Sequence, residues 1–262
     1  MGTGLANPFP FHSAGDLSVW LLESACYRVI SSYKPTIKAL QYAQGRASTT
    51  TSIPSGRDPW RVVIVTMPET PRANHLPGTR AEGSEVIAAM GPSVSIKTLE
   101  HPDVGSAMAQ LQECNVAHFA CHGVSDLLDP SSSGLILQTA GTVTEEPRQD
   151  ILTVREVSLA HLSRAEIAYL SACSAAQNQA LRLSDEVLHV VSGFQVAGFR
   201  HVVGCLWPSD DKVCVEVSKS FHSELGQGGA TRLDDDRAAA LALHRAVAKV
   251  RESKEYRKQP LL

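Results

Sequence analysis

Two residues placed where apolar runs give way to polar sequence carry the chemistry this chain could most readily do. Val116-Ala-His-Phe-Ala-Cys-His122-Gly123 delivers an imidazole, and Ile167-Ala-Tyr-Leu-Ser-Ala-Cys173-Ser174 delivers a thiol. An imidazole beside a thiol can take its proton and leave a thiolate, the form that attacks a carbonyl carbon. Each group follows a short run rich in strand formers. In a parallel α/β sheet both runs would finish on the same edge, where open sheets place their ligand sites. The competing reading makes Cys173 a small buried hydrophobe, the commonest environment of a free cysteine.

His118, Cys121, His122 and Cys173 are also zinc-ligand types. Residues 118 and 122 lie on an expected strand, however, so the His-x-x-x-His pattern lacks the helical geometry that aims both rings at one ion. Neither a metal nor a cofactor is expected. His118 reads as an interior residue, and Cys121, on the opposite face from His122, as core. Cys205 reads as core within a strand and Cys214 as helix packing.

The elements that must position the pair alternate along the chain. Helices are expected over Asp16 to about Ile30 and from Pro35 to about Gln44, and a flexible Ser/Thr/Gly/Pro loop over 45–59. Arg61–Met67 is a dense β-branched run, hence a central strand. A loop to Gly78, a helix near Thr79–Met90, an edge strand at Val94–Leu99 and a helix over Val104–Glu113 follow. Beyond the His122 strand come a polar loop, a strand at Gly134–Gln138 and a second polar loop, 140–150. Thr153-Val-Arg-Glu156 is a capping-box pattern for a helix to about Leu162. After the Cys173 strand, Ser184-Asp185-Glu186 opens a helix to Phe199, and His201–Leu206 is a strand. Ser209-Asp210-Asp211 opens a helix to about Leu225, and an alanine-rich helix occupies 233–252. Strand–helix–strand alternation predicts a parallel sheet with right-handed crossovers.

Composition narrows the functional classes. The hydrophobic share of 43% is enough for a core in a chain of 262 residues. A net charge of −3 argues against nucleic-acid binding. The six cysteines show no framework spacing, which suggests reduced thiols in a reducing compartment. No secretory signal is visible, and the most apolar region, 187–207, is interrupted by His189, Gln195, Arg200 and His201. A cytoplasmic protein without a membrane partner is expected.

Four ordered motifs now resemble a known family. Ala117-His-Phe-Ala-Cys-His-Gly123, Leu170-Ser-Ala-Cys-Ser174, Gly193-Phe-Gln-Val-Ala-Gly198 and Gly204-Cys-Leu-Trp-Pro-Ser-Asp-Asp211 are similar to the CHAT peptidases, relatives of caspases and separases. Segments 28–33, 66–71 and 132–137 fit as well, the second in a style associated with fungal members. The resemblance covers nearly the whole chain as a single domain. It implies a three-layer α/β/α sandwich of caspase-like type with a mostly parallel central sheet. Members often follow tetratricopeptide repeats, so a regulatory or repeat domain upstream is an implied partner. Members usually carry a further strand before the Thr3-Gly4-Leu5-Ala6 region, so this chain is expected to lack its first strand and to belong to a longer protein. The loop Ala175–Arg182 lacks the glycines common there.

Carried over by position, the resemblance makes Cys173 the nucleophile and His122 the proton-transfer group of a cysteine endopeptidase acting on protein or peptide substrates. Backbone N–H groups of Gly123 and Cys173 would face the oxyanion. The spacing of 51 positions from His122 to Cys173 agrees with the roughly 50 of caspases, by itself a weak signal. In separases an acidic residue after a Leu-Trp turn receives a basic P1 side chain, and Asp211 is the closest match, with Asp210 beside it. The plainer account of both acids is complementarity to a helix dipole. The alternative function is a catalytically silent CHAT-fold module that scaffolds a signalling assembly.

Overall fold

β-Branched side chains crowd one another in a helix and pack well on a pleated surface, and the densest run of them forms the centre of the sheet. This is β1, Trp60–Thr66, buried on both faces from Val62 onward. The computed structural model describes residues 28–32, 45, 59–92, 94–126, 128–141, 145–171, 184–205, 210–226, 237–253 and 255–256. Parallel to β1 run β2 (Val94–Glu100) on one side and β3 (Val116–Ala120) on the other. Next come β7 (Ile167–Leu170) and β8 (His201–Gly204), giving the order β2-β1-β3-β7-β8. As expected, β2 is an edge strand. Its alternating exposure contrasts with the fully buried β3 and β7.

Alternation along the strands divides the core in two. Val63, Val65, Ala117, Phe119, Ala168 and Leu170 face one layer of helices. That layer comprises α2 (Val104–Leu111), α3 (Val154–Ser158) and α4 (Ser184–Ala197). Val62, Ile64, Val116, Ile167 and Tyr169 face the other. It comprises α1 (Gly78–Met90), α5 (Asp211–Gly226) and α6 (Ala238–Glu252), whose alanines let it lie close. The result is the expected α/β/α sandwich. Gly226 lets α5 approach α1, because a Cβ there would fall on the Ala89 carbonyl.

The chain leaves the parallel sheet one residue before the imidazole, which corrects the expectation that His122 ends a strand of that sheet. β3 stops at Ala120, Cys121 intervenes, and β4 (His122–Val124) starts a separate antiparallel sheet with β5 (Gly134–Gln138) and β6 (Gln149–Thr153). In this sheet His122 pairs with Ile136, and Leu135 with Leu152. β6 occupies the end of the expected polar loop 140–150. Its backbone ladder to β5 and the burial of Leu152 outweigh its polar composition.

The capping box forms: the Thr153 hydroxyl accepts from Glu156 N–H, and the Glu156 carboxylate accepts from Thr153 N–H. The helix it opens ends at Ser158, short of Leu162. Leu162 N–H instead donates to the Ala197 carbonyl at 2.7 Å, and His161 takes a positive φ of 46°. Arg28 and Val29 form a turn and bend, where the first expected helix was to finish. Gly45 is helical, so the expected 45–59 loop does not begin there. The remainder of both helices before β1, the Thr3–Ala6 region and 46–58 lie outside the described residues, as do 233–236 of the last helix.

Candidate active site

Three strands bring their carboxyl ends level. Met67 N–H donates to the Ala120 carbonyl at 2.9 Å and Ser171 N–H to the Phe119 carbonyl at 2.8 Å, so β1, β3 and β7 finish on one edge. Ser171 is buried there, two positions before Cys173. Cys173 itself lies outside the described residues. His122, at the same edge, is only 3% exposed.

The imidazole is oriented by backbone. Its Nε2 lies 2.7 Å from the Asn74 carbonyl oxygen. A carbonyl can only accept, so Nε2 carries the hydrogen, and in the neutral ring Nδ1 keeps a bare lone pair. Nδ1 is buried and has no hydrogen-bond partner among the described residues. An oriented imidazole with one free basic nitrogen is what a general base requires.

Asn74 sits in the loop between β1 and α1, closed by Leu76 N–H to the Pro68 carbonyl (2.8 Å) and Ala73 N–H to the Thr70 carbonyl (3.1 Å). Gln149, on β6, donates from Nε2 to the Pro71 carbonyl at 2.6 Å. A closed circuit results: His122 on β4, through β5 to β6, across Gln149 to the loop, and back through Asn74 to the ring. Gly123 follows on β4, paired with Leu135 and partly buried.

Beside this circuit a cleft opens between α1 and α5, lined by Leu76, Thr79, Glu82, Ser171, Asp211 and Cys214 among others. Asp211 is exposed in the first turn of α5. Asp210 takes the other expected role: its Oδ1 accepts from Lys212 N–H at 2.9 Å, capping the helix. Asp211 therefore reaches the cleft, whereas the Asp210 carboxylate is engaged by backbone.

Beneath the cleft lies a polar row inside the sandwich. His118 is fully buried and stacks on Tyr169, with ring centroids 5.1 Å apart. His222 of α5 lies edge-on to His118 and holds the Ser218 carbonyl through Nδ1 at 2.8 Å. Burial, then the neighbouring His118, pushes the His222 pKa down to about 3, so the ring is neutral. Glu82 of α1, 3% exposed, places Oε1 3.2 Å from His118 Nε2.

The other thiols divide as their surroundings dictate. Cys121 and Cys214 are buried, as expected, whereas Cys205 lies just past β8 and is only partly buried. Burial pushes the Cys114 thiol up to about 12, and burial with the Glu82 charge raises Cys121 further. Glu69, Glu100 and His101 meet at the surface with ligand atoms close enough for a cation. Arg80 already supplies that charge, at 2.9 Å from both carboxylates.

Three contributors had no place in the sequence reading. Asn74 acts through its carbonyl, which every residue type possesses. Gln149 lay in an expected loop. Glu82 could have been found, because with Val86 and Met90 it falls every fourth residue on the buried stripe of α1.

The CHAT domain family model matches residues 4–262. The chain belongs to the CHAT family. A CHAT domain has a caspase-like, peptidase-related fold, and the parallel sheet with helices on both faces is that architecture. A search of curated proteins finds no match for this CHAT domain. No helix among its described residues is long and apolar enough to cross a membrane.

Proposed function

We propose that this chain is a cysteine endopeptidase in which Cys173 is the nucleophile and His122 the proton-transfer group. The observation that carries the reading is the His122 ring: buried at the carboxyl edge of the sheet, fixed by the Asn74 carbonyl at Nε2, and bare at Nδ1. In the reaction Nδ1 takes the thiol proton, and the thiolate sulfur bonds to the scissile carbonyl carbon. The oxyanion so formed faces the N–H groups of Gly123 and Cys173. The imidazolium then gives its proton to the departing amine as the carbon–nitrogen bond breaks. Water, deprotonated by the same ring, hydrolyses the thioester.

Asp211, at the mouth of the neighbouring cleft, receives a basic P1 side chain, and Asp210 holds the turn that presents it. No metal or cofactor takes part. Six cysteines without framework spacing suit a reducing, cytoplasmic setting, with the activating signal arriving through a regulatory or repeat domain upstream.

The test is a thiol-directed peptidyl probe and an N-terminal cleavage profile, run on the full-length protein with its activator. Wild type is expected to be labelled at Cys173, and Cys173→Ala to abolish both labelling and cleavage. Identical cleavage profiles for the two proteins would leave a silent scaffold as the function.

A further inference from the structure

The turn that leads to Asn74 carries an unfavourable residue for its shape. Ala73 N–H donates to the Thr70 carbonyl at 3.1 Å, so residues 70–73 form a β-turn with Pro71 and Arg72 at its two central positions. The proline ring fixes a negative φ at Pro71, whereas Arg72 takes a φ of 58°. That combination is a type II turn, whose second central position favours glycine. The Cβ of Arg72 crowds the backbone there, and a type I turn would suit the same four residues better. The two forms differ by a rotation of the peptide between Pro71 and Arg72, which sends the Pro71 carbonyl to opposite sides of the turn.

Gln149 holds that carbonyl. Its Nε2 donates to the Pro71 oxygen at 2.6 Å, a bond that the type I orientation would point away from. The donor stands on a strand anchored elsewhere. Gln149 pairs with Gln138 of β5, and the Asp150 carboxylate accepts from Val104 N–H at 2.8 Å, at the start of α2. A strained peptide persists where its surroundings over-determine it, and such peptides cluster at functional sites. Two residues beyond Arg72 comes Asn74, whose carbonyl lies 2.7 Å from His122 Nε2.

We propose that Gln149 is a positioning residue of the candidate active site. It keeps the Pro71–Arg72 peptide in the type II orientation, and through that turn it sets the carbonyl that aims the His122 ring. It acts at a distance from the reacting atoms. The assignment rests on the peptidase reading only in calling the ring a catalytic base, so ring orientation is read apart from cleavage.

Two substitutions test it. Gln149→Met keeps the length of the side chain and loses the donor; Arg72→Gly removes the strain and lets the turn hold type II unaided. In the full-length protein with its activator, Gln149→Met should lower kcat about three- to tenfold with KM unchanged, the effect of one neutral hydrogen bond. Nitrogen-15 NMR of the resting protein should show His122 as the single Nε2–H tautomer in wild type and as a mixture in Gln149→Met. Adding Arg72→Gly to Gln149→Met should restore the single tautomer, and kcat to within about twofold, a coupling that a general loss of stability would not produce. An unchanged tautomer in Gln149→Met, an unchanged kcat in a chain that cleaves, or a folded double variant no better than Gln149→Met each overturns the proposal. Should Gln149→Met not fold, as judged by circular dichroism, Gln149→Glu, equally without a donor when ionised, replaces it in every comparison. A His122 tautomer that follows residue 149 in a chain that cleaves no peptide would keep the positioning role and remove the peptidase. Cys173-dependent cleavage with one kcat and one tautomer whatever stands at 149 would do the reverse.

Discussion

His122 Nε2 and the Asn74 carbonyl oxygen, 48 positions apart in the chain, meet at 2.7 Å. Because the acceptor is backbone, the identity of residue 74 matters little. Asn74→Ala should leave peptidase activity within about threefold of wild type, whereas His122→Ala should cost about 10²–10⁴-fold. Nitrogen-15 NMR of the resting protein should show His122 protonated at Nε2 and bare at Nδ1. The opposite tautomer would remove the general base from the mechanism.

Thiol chemistry should discriminate among the cysteines. Cys114 and Cys121 are enclosed, and their thiols resist ionisation because burial penalises the thiolate. With limiting iodoacetamide near neutral pH, mass spectrometry should find both unmodified in the folded chain and Cys173 modified first. Labelling of Cys121 at the rate of Cys173 would contradict the activation assigned to the latter.

His222 should make the fold sensitive to acid. Unfolded, its ring binds a proton below its ordinary pKa of 6.5; folded, it does so only near 3. Between those values the unfolded state holds more protons, so stability present above pH 6.5 is lost as the pH falls. The slope from this ring approaches about 1.4 kcal/mol per pH unit. Urea unfolding at pH 7 and pH 5 should show wild type losing more stability than His222→Phe, whatever their difference at pH 7. Parallel pH profiles would mean that the ring is protonated in the folded protein.

Two glycines should respond oppositely to alanine. In Gly226→Ala the new methyl meets the Ala89 carbonyl, forcing α1 and α5 apart at a cost of about 1–3 kcal/mol. In Gly105→Ala, near the start of α2, nothing lies closer than Asp103 Oδ1 at 3.5 Å. That variant should gain up to about 1 kcal/mol from helix propensity. Chemical denaturation of both separates close packing from intrinsic preference.

The sequence made β1, β3 and β7 legible because buried parallel strands must be apolar on both faces, and few other structures demand that. It exposed the His122 region for the same reason. It did not disclose that His122 leaves the main sheet, since the change falls on a single residue, Cys121, within an unbroken apolar run. β6 stayed hidden because Gln149 and Asp150 read as loop, while their partners on β5 lie eleven or more positions earlier. The end of α3 was equally out of reach, as it is decided by a hydrogen bond to Ala197. Local pattern reveals what local physics determines; these features depend on distant partners.

The circuit through His122, β5, β6, Gln149 and Asn74 draws on segments from Pro71 to Thr153, the Gln149 link alone joining positions 78 apart. A nascent chain cannot complete it until β6 has been synthesised and docked, and the thiol is made later still. Aim is thus conferred on the ring only when β6 has docked, before β7 and the nucleophile that follows it have been made. A chain that stops short of β6 carries the imidazole without its alignment and lacks the thiol altogether.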